Sequence, residues 1–82
     1  MSGYYVMQDI DGDECVILHC DSLADAEKAM RAEAARLCNR PEHFSVWNAK
    51  GGIEVLWCPA MQDFLPIEQL KAMARNTRST KR

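Results

Sequence analysis

The residues best suited to chemistry in this chain are its cysteines and histidines: Cys15, Cys20, Cys38, Cys58, His19 and His43. A zinc site needs convergent ligands, which are often closely spaced in sequence, and no Cys-x-x-Cys pair occurs here. Strand alternation predicts Cys15, His19 and Cys58 on one sheet face. A nucleophilic thiol needs an adjacent base, but His19 and Cys20 are predicted on opposite faces of one strand. The pattern therefore predicts no metal, no cofactor and no catalytic residue, and we expect a protein that is not an enzyme.

An acidic segment, Asp9-x-Asp11-Gly12-Asp13-Glu14, is the second candidate for chemistry. A calcium-binding EF-hand loop needs glycine at its sixth position and glutamate at its twelfth, and these positions are Glu14 and Cys20 here. We therefore interpret the segment as a solvated hairpin turn. With Asp21 and Asp25 it predicts a single acidic edge, which would repel nucleic acid and attract basic grooves.

The charge of the chain changes sign near its end. Residues 1–65 carry eleven acids and five bases, whereas residues 66–82 carry five bases and one acid. Residues 76–82 include no apolar side chain and are predicted to form a flexible basic tail. Such a tail either keeps the protein soluble or makes weak phosphate contacts. The basic residues considered for nucleic acid are Arg75, Arg78, Lys81 and Arg82.

Two predicted hairpins position these side chains. Residues 4–10 and 14–20 are rich in aromatic and β-branched types, and the Asp-Gly pair between them favours a tight hairpin turn. Residues 43–49 and 53–58 form a second hairpin around Gly51 and Gly52, which tolerate turn conformations. Residues 60–65 are predicted to be a connection.

Two helices accompany the hairpins. Ser22 and Asp25 match a helix-capping pattern, and an apolar stripe follows over residues 23–38. Pro66 is predicted at the start of a short helix that frays by Asn76. The fold class is therefore α+β, with the order ββαββα. A four-stranded antiparallel sheet carries the long helix on one face, in a single domain over residues 1–75 with a tail over 76–82.

The sheet face opposite the long helix is predicted to be unusually apolar. Strict alternation places on it the residues Tyr5, Met7, Ile17, Trp47 and Leu56. A contiguous exposed patch of this kind marks an interaction site, and aromatic residues and methionine are enriched at interface cores. Either the C-terminal helix covers this face, or the face binds a second copy or another partner.

The composition also predicts a location. The chain has no apolar run of about 18 residues and no basic segment followed by an apolar one, so neither a membrane span nor a signal peptide is predicted. We expect a cytoplasmic protein, in the host cytoplasm if it is phage-encoded. Its cysteines are then expected to be reduced and to pack as small hydrophobic side chains.

The layout of a hairpin, an alanine-rich helix introduced by Asp-Ser-Leu-Ala-Asp-Ala-Glu-Lys-Ala, and a second hairpin resembles small phage or mobile-element proteins of the anti-CRISPR type. The resemblance covers residues 4–58 as architecture. It implies an inhibitor that docks on a nucleic-acid-handling host complex.

We therefore expect a protein-binding module that uses the apolar face and the acidic turn Asp11, Asp13 and Glu14. The alternatives are a nucleic-acid-associated accessory protein that uses its basic tail, and a structural homodimer formed through the sheet face.

Overall fold

The computed structural model describes residues 3–36 and 40–80, with side chains through residue 74. The elements are β1 (Tyr4–Ile10), β2 (Asp13–Cys20), α1 (Leu23–Arg36), a 3₁₀ turn (Pro41–His43), β3 (Phe44–Asn48), β4 (Ile53–Cys58), β5 (Asp63–Pro66) and α2 (Ile67–Thr80). The strands form one antiparallel sheet in the order β2-β1-β3-β4-β5. The predicted α+β class is confirmed, but the four-stranded ββαββα arrangement is wrong because the sheet has a fifth strand.

The first hairpin forms where it was predicted. Asp11 and Gly12 have φ values of 55° and 89°, and Ile10 pairs with Asp13 across the two-residue turn. Positive φ at both turn positions matches the twist of the flanking strands. The local sequence is therefore sufficient to determine this turn.

A β-bulge in β2 changes which of its side chains face α1. Val6 pairs with Leu18, but the next residue, Met7, pairs with Val16, so Ile17 is an extra residue. Ile17 packs against the core beneath α1, and Val16 shares the face of Met7 and is exposed. The prediction that Ile17 lies on the open face is therefore wrong, because a bulge reverses the alternation on one side of it.

The second hairpin is held by the side chain of Asn48. Its Oδ1 accepts hydrogen bonds from the backbone N–H groups of Lys50 (2.8 Å) and Gly52 (3.0 Å). Gly51 has a φ of 87°, a conformation that favours glycine. β3 then pairs with β1, which joins the two hairpins into one sheet.

The fifth strand lies in the segment that was predicted to be a connection. Leu65 pairs with Leu56, and Phe64 pairs with Trp57, in an antiparallel ladder with β4. The turn that precedes it is closed by Gln62, whose Nε2 donates to the Pro59 carbonyl at 2.8 Å. A four-residue strand is too short to show alternation in sequence, and a proline at an edge-strand end does not disrupt the ladder.

The main core lies between α1 and the sheet. The Asp25 N–H donates to Ser22 Oγ at 3.1 Å, which confirms the predicted cap. Ala26, Met30 and Ala34 form the buried stripe of α1. They pack against the buried sheet residues Val6, Phe44, Val46, Val55 and Phe64.

The second helix covers only part of the opposite face. α2 contacts β4 and β5, and the buried residues Cys58 and Leu65 of those strands lie outside the core cluster beneath α1. α2 therefore lies over the β4–β5 half of the sheet. It continues to Thr80, beyond the predicted end near Asn76. In the part of the chain that the structure describes, no helix is long and apolar enough to cross a membrane.

Candidate functional site

The open face of the sheet is the half formed by β1, β2 and β3, on the side away from α1. Tyr5 pairs with Trp47 on one side and with His19 on the other. The rings of Tyr5 and His19 have centroids 4.8 Å apart and an interplanar angle of 31°. The three rings form a row across the open face, and two of them, Tyr5 and Trp47, also line the groove beside it.

An apolar groove lies beside this row. It is lined by Tyr5, Met7, Val16, Trp47, Asn48, Ala49 and Gly51 and has a volume of about 190 Å³. Pockets for drug-sized ligands and cofactors have volumes of about 300–1,000 Å³. The groove is therefore of a size to receive one or two side chains of a partner rather than a cofactor.

Trp47 is fixed in this groove by a hydrogen bond within its own strand. Its Nε1 donates to Ser45 Oγ at 2.9 Å, and Ser45 is buried. Because the indole N–H is already satisfied within the protein, the ring offers an apolar surface to a partner. A tryptophan held in this way loses little conformational entropy when a partner binds.

His19 is placed by a glycine. Gly3 is buried with a φ of 138°, and a Cβ at this position would lie 2.5 Å from His19 Nε2. The imidazole therefore occupies space that any other residue at position 3 would fill. The glycine allows the ring to rest against Tyr5.

The acidic turn continues the same face. Asp9 and Glu14 form the next cross-strand pair on this face after Met7 and Val16, with the Gln8–Cys15 pair of the α1 side between them. Asp11, Asp13 and Glu14 are exposed, and one carboxylate oxygen of Asp9 is buried without a hydrogen-bond partner among the described residues. The groove therefore has carboxylates at its hairpin end.

The acids of residues 9–25 do not form the single edge that was predicted. Asp13 and Asp21 lie at or just beyond opposite ends of β2. A strand rises about 3.3 Å per residue, so the eight-residue strand separates the turn acids from Asp21 by roughly 25 Å. The acids form two groups, one at each end of β2.

The structure brings together only some of the predicted site residues. Tyr5, Met7 and Trp47 line the groove, and Leu56 lies on the same face between Ser45 and Leu65, towards α2. Ile17 is on the opposite face. The remaining lining residues, Val16, Asn48, Ala49 and Gly51, were not among the predicted site residues, and Val16 lies on this face because of the bulge at Ile17. The side chains of Arg75, Arg78, Lys81 and Arg82 lie outside the described residues.

The cysteines and histidines are spread over both faces. Cys15 pairs with Gln8 and belongs to the α1 side, so the prediction that it shares a sheet face with His19 is wrong. Cys58 is buried on the α2 side, and Cys38 lies outside the described residues. Over residues 3–36 and 40–74, no three His, Cys, Asp or Glu side chains converge as metal ligands.

A polar cluster on the α1 side was partly missed as well. The Arg31 guanidinium donates to Glu27 (2.8 Å), to Asp63 (2.7 Å) and to the Phe64 carbonyl (3.2 Å), and lies 5.6 Å from the Phe64 ring centroid. The hydrogen bond from Arg31 and that from the Phe64 N–H lower the pKa of Asp63. Only the Glu27–Arg31 contact, at spacing i,i+4, was visible in the sequence.

This cluster fastens α1 to β5 beside a cavity of about 210 Å³ lined in part by Ala34, Pro41 and Trp57. Nε, Nη1 and Nη2 of the guanidinium all donate to groups of the protein itself. The arginine is therefore engaged in structure and is not poised to bind an external anion.

The candidate site is thus a small apolar groove on the open half of the sheet, with carboxylates at one end. No protein-family model matches the chain, and no curated protein and no solved structure matches it.

Proposed function

We propose that this protein is a non-catalytic protein-binding module and that the groove between Tyr5, Met7, Val16 and Trp47 receives side chains of its partner. The observation that carries the proposal is the apolar surface that α2 leaves uncovered on the β1–β2–β3 half of the sheet. Tyrosine, tryptophan and methionine are enriched at the centres of protein interfaces.

The size and shape of the groove favour a protein partner over a small substrate. Its volume of about 190 Å³ is below that of ordinary ligand pockets. Its lining is mostly apolar, and the indole N–H of Trp47 is satisfied internally. Such a surface gains free energy by excluding water from an apolar anchor residue.

The acidic turn favours a partner with a basic surface. Glu14 lies next to the groove, and Asp11 and Asp13 are exposed beyond it. Complementary charge speeds encounter and discriminates between partners. The narrower form of the proposal is an inhibitor of a nucleic-acid-handling host complex, since grooves that hold nucleic acid are basic and would accept these carboxylates.

A pair of matched variants tests the docking surface. Val16 and Met61 have exposed fractions of 56% and 55%, but Val16 lines the groove and Met61 lies in the β4–β5 loop. Affinity capture from the source cells would be compared for wild type, Val16→Asp and Met61→Asp. The partner would then be purified and its Kd measured with all three proteins.

We expect Val16→Asp to weaken this Kd by about tenfold or more, because a carboxylate would be buried in an apolar contact. Met61→Asp should leave the Kd unchanged. Equal Kd values for all three proteins would refute docking in the groove. If sedimentation shows that the wild-type protein is a dimer and that Val16→Asp is a monomer, the partner in the groove is a second copy of this chain.

A further inference from the structure

The strand β2 lies at the edge of the sheet and has eight residues. We propose that β2 accepts an extended segment of the partner as a sixth strand, and that this segment has basic residues at both ends and apolar residues between them. The proposal rests on the proposed function and adds the mode of docking and the chemistry of the partner.

The backbone of β2 has groups free for such pairing. The Ile10–Asp13 pair, which closes the two-residue turn, is a hydrogen-bonded pair. Along the ladder from there, non-hydrogen-bonded and hydrogen-bonded pairs alternate. Asp9–Glu14 and Met7–Val16 are therefore non-hydrogen-bonded pairs. The N–H and C=O groups of Glu14 and Val16 point away from β1, towards the open edge.

The same edge adjoins the groove. Val16 has more than half of its surface exposed, since β2 is the edge strand of the sheet that the described residues form. An added strand would place alternate side chains on the open face beside Val16, at the rim of the groove. Strand addition would thus provide backbone hydrogen bonds and an apolar contact with Val16 at once.

The acidic groups at the two ends of β2 indicate which kind of strand can pair with it. Asp11, Asp13 and Glu14 lie at one end of β2 and Asp21 at the other, and the strand itself has no lysine or arginine. If β2 of a second copy paired antiparallel with this β2, the turn acids of each chain would lie near Asp21 of the other. These like charges on neighbouring strands would repel, which disfavours a second copy as the occupant. A strand with bases about seven residues apart would place one near each acidic group.

A synthetic peptide tests this directly. The probe is the acetylated and amidated octapeptide Lys-Thr-Val-Thr-Val-Thr-Val-Lys, and its control has glutamate in place of both lysines. Amide exchange of the wild-type protein would be followed by NMR with each peptide. We expect the lysine peptide to slow exchange at Glu14 and Val16 by about tenfold or more, and the glutamate peptide to have no effect.

Two N-methylated peptides provide a matched control for strand pairing. One has the N-methyl groups on its three threonines and the other on its three valines. Alternate N–H groups of a strand point to opposite edges, so we expect one peptide to lose binding and the other to keep it.

The outcomes separate this inference from the proposed function. If the lysine peptide binds in the groove without protecting Glu14 and Val16, strand addition is refuted but groove docking stands. Failure of the lysine peptide to bind, or equal loss with both N-methylated peptides, also refutes it. Protection that appears without peptide and rises with protein concentration would assign the edge to a second copy instead.

Discussion

The substitution Glu14→Gln is expected to stabilise the protein while weakening its binding to a basic partner. Asp9 and Glu14 face each other in a non-hydrogen-bonded pair, which brings the Cβ atoms to about 5 Å. Two unit charges at about 5 Å repel by about 0.8 kcal/mol in bulk water, and physiological salt roughly halves this value. Glutamine keeps the shape of the side chain and removes one of the charges.

The burial of one Asp9 oxygen strengthens this repulsion, since a nearby protein interior screens charge less than water does. We therefore expect Glu14→Gln to raise the free energy of unfolding by about 0.4–1 kcal/mol, within the range of cross-strand charge pairs. Urea denaturation at 0.15 M and 1 M salt measures the gain. The gain should shrink at high salt, where the Debye length is about 3 Å.

A double-mutant cycle isolates the cause. In an Asp9→Asn background the repulsion is already absent, so adding Glu14→Gln should give little further stability. The same gain in both backgrounds, or a gain independent of salt, would show that repulsion in this pair is not its source. A loss of stability in the single variant would contradict the reasoning outright. The lysine peptide should bind the single variant more weakly than wild type.

Three further predictions concern the scaffold. Arg31 lowers the pKa of Asp63 in the folded state, so this pair should stabilise the fold above the unfolded pKa of 3.8 and lose its contribution as pH falls through the lower folded value. Asp63→Asn should therefore flatten the acidic part of a plot of thermal midpoint against pH. An unchanged slope in this variant would argue against the pair. Gly3→Ala should cost about 1–3 kcal/mol in urea denaturation, from positive φ and contact with His19, and His19→Ala should recover only the contact part. Met30→Ala should cost about 2–5 kcal/mol by leaving a cavity beneath α1, yet peptide affinity should not change while the protein stays folded.

Much of the fold followed from local sequence. The Asp11-Gly12 turn and the Ser22 cap depend on interactions within a few residues, and the four longer strands could be recognised from residue type and alternation; the structure has all of them. The types of residue in the groove were also evident, because Tyr5, Met7 and Trp47 alternate with core residues along strands of known period.

Other features depend on contacts between distant segments. β5 forms because β4 offers it a ladder, and Arg31 meets Asp63 only after α1 and β5 have come together. The path of α2 is similar, since its apolar stripe can be recognised in sequence but the half of the sheet that it covers cannot.

The sequence by itself determined the local turns, the fold class and the presence of an apolar face, because these depend on backbone preference and periodicity. Only the tertiary structure decided which residues form the site. Val16, and not Ile17, lies on the open face because β2 has one extra residue in its pairing with β1. This bulge cannot be recognised from alternation along a single strand. The groove exists because α2 extends over β4 and β5 and leaves the other half of the face open.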